Sequence, residues 1–380
     1  MSQKDEQATK QVARICLFRW CQALRFERRS SSEKVEHLPA PKTTPKRLDE
    51  SLQDAPLDSC YLIQDVAQST VSSEETILYL AYGSNLCRKT FRERRHIRPV
   101  SQINVVVPQL AMTFDLPGLP YKEPCFSNTR YRQAPAPEDS AGNAEKDRYH
   151  KQMWHKGLVG VVYEVTLADY AHIIATEGGG ASYKDVLVDC YALPDDPSLP
   201  VPAIPSGTAF KAHTLFAPPP ASGGARLARP DPDYAQPSPR YMKLITDGAT
   251  ELVLPYEYQE YLHLIRGYQM TSTKQRLGQF IFLSIWAPVL IFIFGAGRMF
   301  ADKKGRYPPW LTRLAGSIFI GVWASYDSFF KDFFGDGERT IGLGSSLNSL
   351  DEKQPLLFNL AERQHEIVPE QRLEPTEIMV

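Results

Sequence analysis

An uncharged stretch in the C-terminal third of the chain limits the possible folds more than any other part of the sequence. From Leu277 to Gly297 the sequence has 21 residues without a charged side chain. On a helix that rises about 1.5 Å per residue, this length covers a hydrocarbon core of about 30 Å. A buried core helix has the same composition, but too little sequence follows residue 297 to build a domain around it. We therefore predict a transmembrane helix over 277–297, in which Pro288 is tolerated.

A second apolar segment covers residues 310–334. Its uncharged part, Leu314–Tyr326, has 13 residues, which is shorter than a membrane crossing requires. Its aromatic residues, among them Trp310 and Trp323, favour a membrane-interface or re-entrant position. The sequence leaves open whether this segment crosses the membrane. The polar tail, residues 335–380, is predicted to be disordered.

Charge and cysteine usage exclude several classes of protein. The 380 residues include 43 Lys and Arg against 44 Asp and Glu, so the net charge is −1 and gives no reason to expect nucleic-acid binding. A mean hydropathy of −0.32 excludes a polytopic membrane protein but allows one or two spans. The six cysteines are scattered, without a CxxC pair or a zinc-type cluster. This pattern predicts free thiols in a cytosol-facing protein and no metal site.

Signals of a folded domain concentrate in residues 76–268. Short apolar or alternating stretches predict strands, among them TILYLAYG, GLVGVVYEV, SYKDVLVDCYAL and TAFKAHTLF. Helical patterns, one of them beginning with a cap at Thr166, fall between them irregularly, which argues against a doubly wound parallel sheet. We therefore predict an α+β fold, with a small, curved mixed sheet or barrel and flanking helices. Residues 1–75 are predicted to form a basic, disordered arm, and 133–155 and 193–238 to be loop insertions.

Three local motifs in this domain carry candidate chemistry. The first is Tyr82-Gly83-Ser84-Asn85-Leu86, between a strand and a helix, where we expect Gly83 to adopt a positive φ. Main-chain N–H groups at such a helix start bind carboxylates or a developing oxyanion. The same residues also fit an ordinary capped turn.

The second motif is Glu177, followed by Gly178, Gly179 and Gly180, with Tyr183 just beyond. Glycines permit a ligand to approach the backbone, and a partly desolvated carboxylate there would have a raised pKa and accept a proton near neutral pH. A surface glutamate beside a flexible helix end is the alternative. The third motif is Ser238-Pro239-Arg240-Tyr241, which opens a helix; the Tyr241 hydroxyl serves either a site or the core.

Together and in this order, these motifs resemble the γ-glutamylcyclotransferase family, whose signature is YGSNL. GLVGVVYEVTLADYAHIIATEGGGASYKDVLVDCYAL is similar to the family's strand–helix unit, which ends in the catalytic glutamate. The resemblance covers about residues 77–264. The EGGG form and the apolar C-terminal segments look like a fungal, membrane-tethered branch, some of whose members are associated with glutathione adducts in sulfur-containing secondary metabolism.

The resemblance implies a reaction and a set of roles. A γ-glutamyl amide would cyclise to 5-oxoproline and release a free amine, with Glu177 as catalytic base. The implied substrate-binding residues are Tyr82, Gly83, Ser84, Asn85, Leu86, Tyr183 and Tyr241, and Asn128 lies near a polar turn beside the family's pocket. No cofactor or metal is expected, and the partners are a small γ-glutamyl substrate and a membrane contacted through 277–297.

Two other interpretations of the domain stay open. One is a γ-glutamylamine cyclotransferase, which would use the same fold and glutamate. The other is a non-catalytic, membrane-tethered binding module. The expected localisation is membrane-anchored, with the catalytic domain facing the cytosol, on an endomembrane or the vacuolar membrane.

Overall fold

The structure is a computed structural model that describes residues 40–58, 62, 75–132, 154–176, 184–216, 229–231, 233–300 and 308–341. Glu177 and Tyr183 lie outside these residues. So do the predicted arm up to residue 39, nearly all of the predicted insertion 133–155, and the tail from residue 342.

Five strands close into a barrel in the order β1-β5-β2-β6-β7. Neighbouring strands pair antiparallel except β1 and β7, which close the barrel in parallel. The predicted α+β class, with a small barrel and flanking helices, is therefore confirmed. The barrel strands are β1 (Thr76–Ala81), β2 (Ser101–Val107), β5 (Leu158–Thr166), β6 (Lys184–Ala192) and β7 (Phe210–Phe216).

Side chains alternate between two buried faces along β1. Leu78 and Leu80 belong to an apolar cluster made of strand residues, which fills the barrel interior. Ile77 and Tyr79 belong to a second cluster that strands share with helices, which covers the outside. Because both faces are buried, the strand is an unbroken apolar run in the sequence.

Helices and a hairpin pack around the barrel. Thr166 bonds to the Asp169 amide at 3.1 Å, as its predicted capping role requires, and Ser238 caps a later helix through the Tyr241 amide. The bounds are α1 (Pro45–Glu50), α2 (Leu167–Thr176), α3 (Pro239–Glu251) and α4 (Tyr256–Leu264), with a separate two-stranded sheet of β3 (Leu110–Leu119) and β4 (Glu123–Tyr131). A 3-10 turn covers Ser84–Leu86, and a π-helical segment covers Lys89–Arg94.

Two long helical segments form the C-terminal part. The first is α5 (Thr273–Phe300), which contains the predicted span 277–297. The second runs without a break through α6 (Pro309–Ser325), a π-helical segment (Tyr326–Phe330) and α7 (Lys331–Phe334). Among the described residues, α5 is the one helix long and apolar enough to cross a membrane, over Thr273–Ile293. This is weak evidence for anchoring, because core helices share these properties.

Three predicted boundaries differ from the structure. The predicted strand TAFKAHTLF is confirmed as β7 of the barrel, so the predicted insertion 193–238 is not one continuous loop. Part of the predicted disordered arm is built onto the barrel: Thr44 caps α1, and Arg47 donates to the Thr76 carbonyl at 3.0 Å. The predicted disordered tail begins with residues 335–339, which return to the barrel domain. There the Tyr121 amide bonds to the Gly337 carbonyl at 2.7 Å.

Candidate functional site

The turn after β1 is tighter than its sequence indicates. The Leu86 amide bonds to the Gly83 carbonyl at 3.0 Å, and the Cys87 amide bonds to the Ser84 carbonyl at 3.3 Å. The Leu86 amide is therefore occupied by the turn, and its side chain is buried in the core. An anion held by main-chain N–H groups here would contact those of Gly83, Ser84 or Asn85, because the Leu86 and Cys87 amides close the turn.

Gly83 is needed for close approach, and the expectation of a positive φ is wrong. Its φ is −110°, which other residues also adopt. A Cβ at this position would lie 2.4 Å from Ser127 Oγ and 3.5 Å from Tyr241 Oη. The Ser127 and Tyr241 hydroxyls are themselves 2.7 Å apart, and the Ser127 amide donates to Tyr241 Oη at 3.2 Å. The structure thus brings together the turn, β4 and the first turn of α3.

A buried carboxylate fixes the start of α3. Glu123, 1% exposed at the start of β4, accepts hydrogen bonds from Ser238 and Arg240. Ser238 in turn accepts from the Tyr241 amide at 3.0 Å, which sets the position of Tyr241. Burial raises the pKa of Glu123, and the Arg240 guanidinium lowers it to a smaller extent.

A chain of buried polar groups extends from the turn across the outer face of the barrel. Asn85 donates to the Tyr79 hydroxyl at 3.0 Å, and the Tyr79 ring packs against Tyr170 on α2 with centroids 5.7 Å apart. Tyr170 donates to Asp185 on β6, and Asp185 also lies 2.9 Å from His213 Nδ1 on β7. Burial first, and then the Asp185 carboxylate, raise the pKa of Tyr170 well above its usual value, so Tyr170 stays a hydrogen-bond donor.

Strand register shows at which end of the barrel the turn lies. Tyr79 pairs with His213 in parallel, and Lys184 pairs with Phe216 across β6 and β7. Three residues beyond the Tyr79–His213 pair, Tyr82 stands level with Phe216, and therefore with Lys184. The turn after β1 and the start of β6 thus lie at the same end of the barrel.

Helix α2 runs toward that same end. The Leu167 amide bonds to the Glu75 carbonyl just before β1 at 3.1 Å, and Tyr170 packs beside Tyr79 further along the strand. The helix therefore follows β1 in the same direction. From Tyr170 to its last residue, Thr176, it advances about 9 Å, close to the roughly 10 Å from Tyr79 to Tyr82. The chain leaves the described part at Thr176 and re-enters it at Lys184, both at the end that holds the turn.

Curated relatives of this chain carry one common name. It is 31% identical over 282 residues to "Gamma-glutamyl cyclotransferase aclK" of Aspergillus oryzae, an alignment that covers 72% of this chain and 94% of the relative. It is 29% identical over 263 residues to "Gamma-glutamyl cyclotransferase gliK" of Aspergillus fumigatus, covering 69% of this chain and 89% of the relative. The chain belongs to the γ-glutamyl cyclotransferase family. The fungal branch indicated by the sequence is confirmed by these relatives.

Family and structure comparisons cover different parts of this family member. The model of the AclK C-terminal domain matches residues 272–333, which are α5 and the helical run after it. Among solved structures, a γ-glutamyl cyclotransferase is 20% identical with a TM-score of 0.34, covering 52% of this chain and 93% of that chain. An uncharacterised protein of Homo sapiens is 20% identical with a TM-score of 0.35, covering 53% and 94%.

The predicted site residues divide into three groups. Gly83, Ser84 and Tyr241 lie together with Ser127, while Asn85 joins the turn to Tyr79. The Tyr82 and Leu86 side chains are core residues, Tyr82 in the cluster that fills the barrel interior and Leu86 in the cluster outside it. Glu177 and Tyr183 lie outside the described residues, so their roles stay predictions.

Sequence reasoning missed two parts of the site. It singled out Asn128 on β4, and the residue that contacts Tyr241 is its neighbour Ser127, fully buried. It also missed the Asp185–His213 pair. Its signal in the sequence was weak, because β6 also carries Lys184 and Asp189 and β7 also carries Lys211. The described residues include no group of three or more His, Cys, Asp or Glu side chains placed to hold a metal ion.

Proposed function

We propose that this protein cleaves γ-glutamyl amides by intramolecular cyclisation. The α-amino nitrogen of the γ-glutamyl unit attacks its own γ-carbonyl carbon and forms a tetrahedral intermediate. The bond from that carbon to the leaving nitrogen then breaks, which gives 5-oxoproline and a free amine. Nucleophile and electrophile belong to one molecule, and good alignment of such groups corresponds to effective molarities of about 10⁵ M or more.

Glu177 is the proposed base. It accepts a proton from the α-ammonium group and later delivers one to the leaving amine, so that the carboxylate is regenerated. The supporting observation is that α2 and β6, which precede and follow segment 177–183, both meet the turn at one end of the barrel. This arrangement supports a base on the segment that joins α2 to β6 and a substrate held at the turn.

The turn is the proposed hydrogen-bond donor to negative charge on the substrate. The N–H groups of Gly83 and Ser84 would hold the substrate carboxylate or stabilise the oxyanion of the intermediate. Tyr241, with its hydroxyl 2.7 Å from Ser127, would position that turn, and Tyr183 would line the substrate pocket. Glutathione, γ-glutamyl dipeptides and glutathione conjugates are the proposed substrates.

Glu177→Gln tests the catalytic proposal. The amide cannot accept the proton, so we expect 5-oxoproline release to fall by more than about 100-fold while the thermal unfolding curve is unchanged. Glu93→Gln, which changes an exposed carboxylate, is the matched control and should keep full activity. Turnover retained by Glu177→Gln would exclude Glu177 as the base.

A substrate series separates the proposed activity from its alternatives. We expect the wild-type protein to release 5-oxoproline from glutathione, a γ-glutamyl dipeptide or a glutathione S-conjugate. Release from γ-glutamylamines alone would identify a γ-glutamylamine cyclotransferase. Binding of these compounds without turnover by a folded protein would identify the non-catalytic module.

We also propose that α5 anchors the protein to an endomembrane or the vacuolar membrane, with the catalytic domain in the cytosol. Its 28 residues extend about 42 Å, and the uncharged stretch 277–297 covers the hydrocarbon core. We expect the protein to pellet with membranes and to resist carbonate extraction. Recovery in the soluble fraction would contradict the anchor but not the catalytic proposal.

A further inference from the structure

The C-terminal helices expose large apolar side chains that no described part of the protein covers. On α5, Phe280, Phe292 and Met299 are 70%, 71% and 74% exposed. On the returning helical run, Trp310 and Phe333 are 51% and 65% exposed. A contiguous apolar surface of this kind on a folded protein marks an interaction with a membrane or another protein.

The two helical segments lie side by side and antiparallel, and we name them the helical hairpin. Near the start of α5, a Cβ on Gly278 would lie 2.5 Å from the Phe334 side chain. In the middle, Trp286 Nε1 donates to Ser325 Oγ at 3.1 Å. At the far end, the Phe300 ring packs 5.8 Å from the Trp310 ring. The return segment, residues 309–334, is thus paired with α5 along its length and extends about 39 Å.

Of the six exposed aromatic residues in the described part of the helical hairpin, all but Phe292 lie near its two ends. Phe280, Phe329 and Phe333 lie at the end near the barrel, and Phe300 and Trp310 lie at the other. Residues 280 and 300 are separated along α5 by about 30 Å, the thickness of a hydrocarbon core. Bulky aromatic residues at both ends of an apolar segment are typical of membrane boundaries.

The residues between these ends are suited to lipid contact. The exposed apolar side chains there include Ile285, Ile291 and Ile320, and the return segment has no charged residue from Leu314 to Tyr326. One ionised contact, Arg229 with Asp327 at 2.6 Å, lies about one helical turn inside the barrel-side boundary, where the Arg229 side chain is 9% exposed and therefore shielded from lipid. Charges at the boundary and aliphatic side chains between the boundaries are the distribution that a bilayer favours.

We propose that both helices of the hairpin cross the bilayer, so that the chain passes through it twice. The barrel domain and residues 335–339 then lie on one side of the membrane, and the far ends of α5 and α6 lie on the other. This inference rests on the proposed anchor and is independent of the catalytic proposal. A lipid bilayer is favoured over a second copy of the chain because a bilayer accounts for the separation of about 30 Å between the aromatic ends.

For a double crossing, the orientation is predicted from the Lys and Arg residues on both sides of the hairpin. Counted along the chain within about 15 residues of the helix ends, five Lys or Arg residues fall on each side of the membrane, so the positive-inside rule does not orient the hairpin. On the barrel side these are Arg266, Lys274, Arg276, Lys331 and Arg339, and on the opposite side Arg298, Lys303, Lys304, Arg306 and Arg313. The topology must therefore be determined by experiment, from tags in the barrel domain, between the two helices and at the C-terminus.

Protease protection in sealed vesicles tests the double crossing. Full-length proteins would carry an epitope tag within 136–150, within 301–307, or at the C-terminus. We expect the first and third tags to share one accessibility and the second to have the opposite one. A C-terminal tag opposite to the barrel tag would show a single span, with the anchor intact. Equal accessibility of all three tags would show a hairpin lying on the surface or against another protein. Either result would overturn the double crossing.

A substitution on the exposed surface of α5 gives an independent test of the anchor on which the double crossing rests. Ile291→Arg places a charge near the middle of α5, at a side chain that is 60% exposed, and should reduce the carbonate-resistant fraction at least tenfold. Ile204→Arg, at a side chain 89% exposed in the barrel domain, is the matched control and should have no effect. Full carbonate resistance of Ile291→Arg would contradict lipid contact at this position.

Discussion

The barrel domain buries its apolar residues, whereas the helical hairpin leaves many of its apolar residues exposed. Along β1, successive side chains are buried on both faces, in the barrel interior and beneath the helices. Along α5, Phe282 is fully buried while its neighbour Phe280 is 70% exposed. The barrel thus provides its own apolar environment, whereas the hairpin leaves apolar surface for an environment outside the chain. The two regions should therefore respond differently to the same kind of substitution.

The largest difference is expected between two glycines. In Gly83→Ala the new Cβ would lie 2.4 Å from the buried Ser127 Oγ, so the turn must shift. Misplacement of a site by about 1 Å can cost about 100-fold in rate, and we expect a loss of that size in 5-oxoproline release. Gly295 on α5 has open space at its Cβ position, so Gly295→Ala should keep both activity and carbonate resistance. Equal activity of the two variants would contradict the close approach at Gly83.

The next effect tests whether buried polar groups of the barrel position the site. In Asp185→Asn the acceptor that holds Tyr170 and His213 loses its charge, and the α2–β6 connection beside segment 177–183 weakens. We expect about a tenfold loss in kcat with a smaller change in KM, and a loss of about 1–3 kcal/mol in unfolding free energy. The control is Asp189→Asn, an exposed position on the same strand.

The kinetic readout separates positioning from general destabilisation. At a temperature well below the unfolding transition of Asp185→Asn, the loss in kcat should persist and should remain larger than the change in KM. If kcat recovered fully there, Asp185 would contribute only to stability. Carbonate resistance should not change, because the substitution is confined to the barrel domain.

A smaller effect is expected where the two regions meet. The hydroxyl of Tyr121, in the turn between β3 and β4, shares its hydrogen between the Phe330 carbonyl at 2.9 Å and the Gly335 carbonyl at 2.8 Å. Tyr121→Phe removes this donor, which should lower the unfolding free energy by about 1–3 kcal/mol and leave activity within about twofold. Tyr131→Phe, at an exposed tyrosine of the same sheet, is the control. An unchanged melting temperature for Tyr121→Phe would show that the regions are not coupled there.

Local patterns predicted much of this molecule, whereas contacts between distant segments escaped them. The barrel class, the capping role of Thr166 and the turn at 82–86 follow from short-range periodicity and residue type. The need for glycine at position 83 did not follow from such patterns, because Ser127 is 44 residues away in the sequence and was not recognised as its neighbour. The return of Gly337 to Tyr121 was missed for the same reason: a polar stretch looks disordered until its partner is known.

The smallest effect concerns the pH dependence of the barrel domain. Burial raises the native pKa of Glu123 above its ordinary value of 4.5, so the folded state binds more protons than the unfolded state above that pH. This group therefore makes stability fall as pH rises from about 4.5 through the native pKa. Glu123→Gln removes the titration but keeps an acceptor for Ser238, and the Arg240 side chain is 44% exposed and stays solvated.

We accordingly expect the unfolding free energy of Glu123→Gln to decline less steeply than that of the wild type over this pH range, with Glu93→Gln as the control. Denaturant unfolding at pH values from 4.5 to 8 measures the two slopes. A steeper decline in Glu123→Gln would mean that the Arg240 pairing outweighs burial, and that the carboxylate stabilises the start of α3 through its charge. Tyr241 would then be positioned by an ion pair, and the site at Gly83 would gain stability with rising pH.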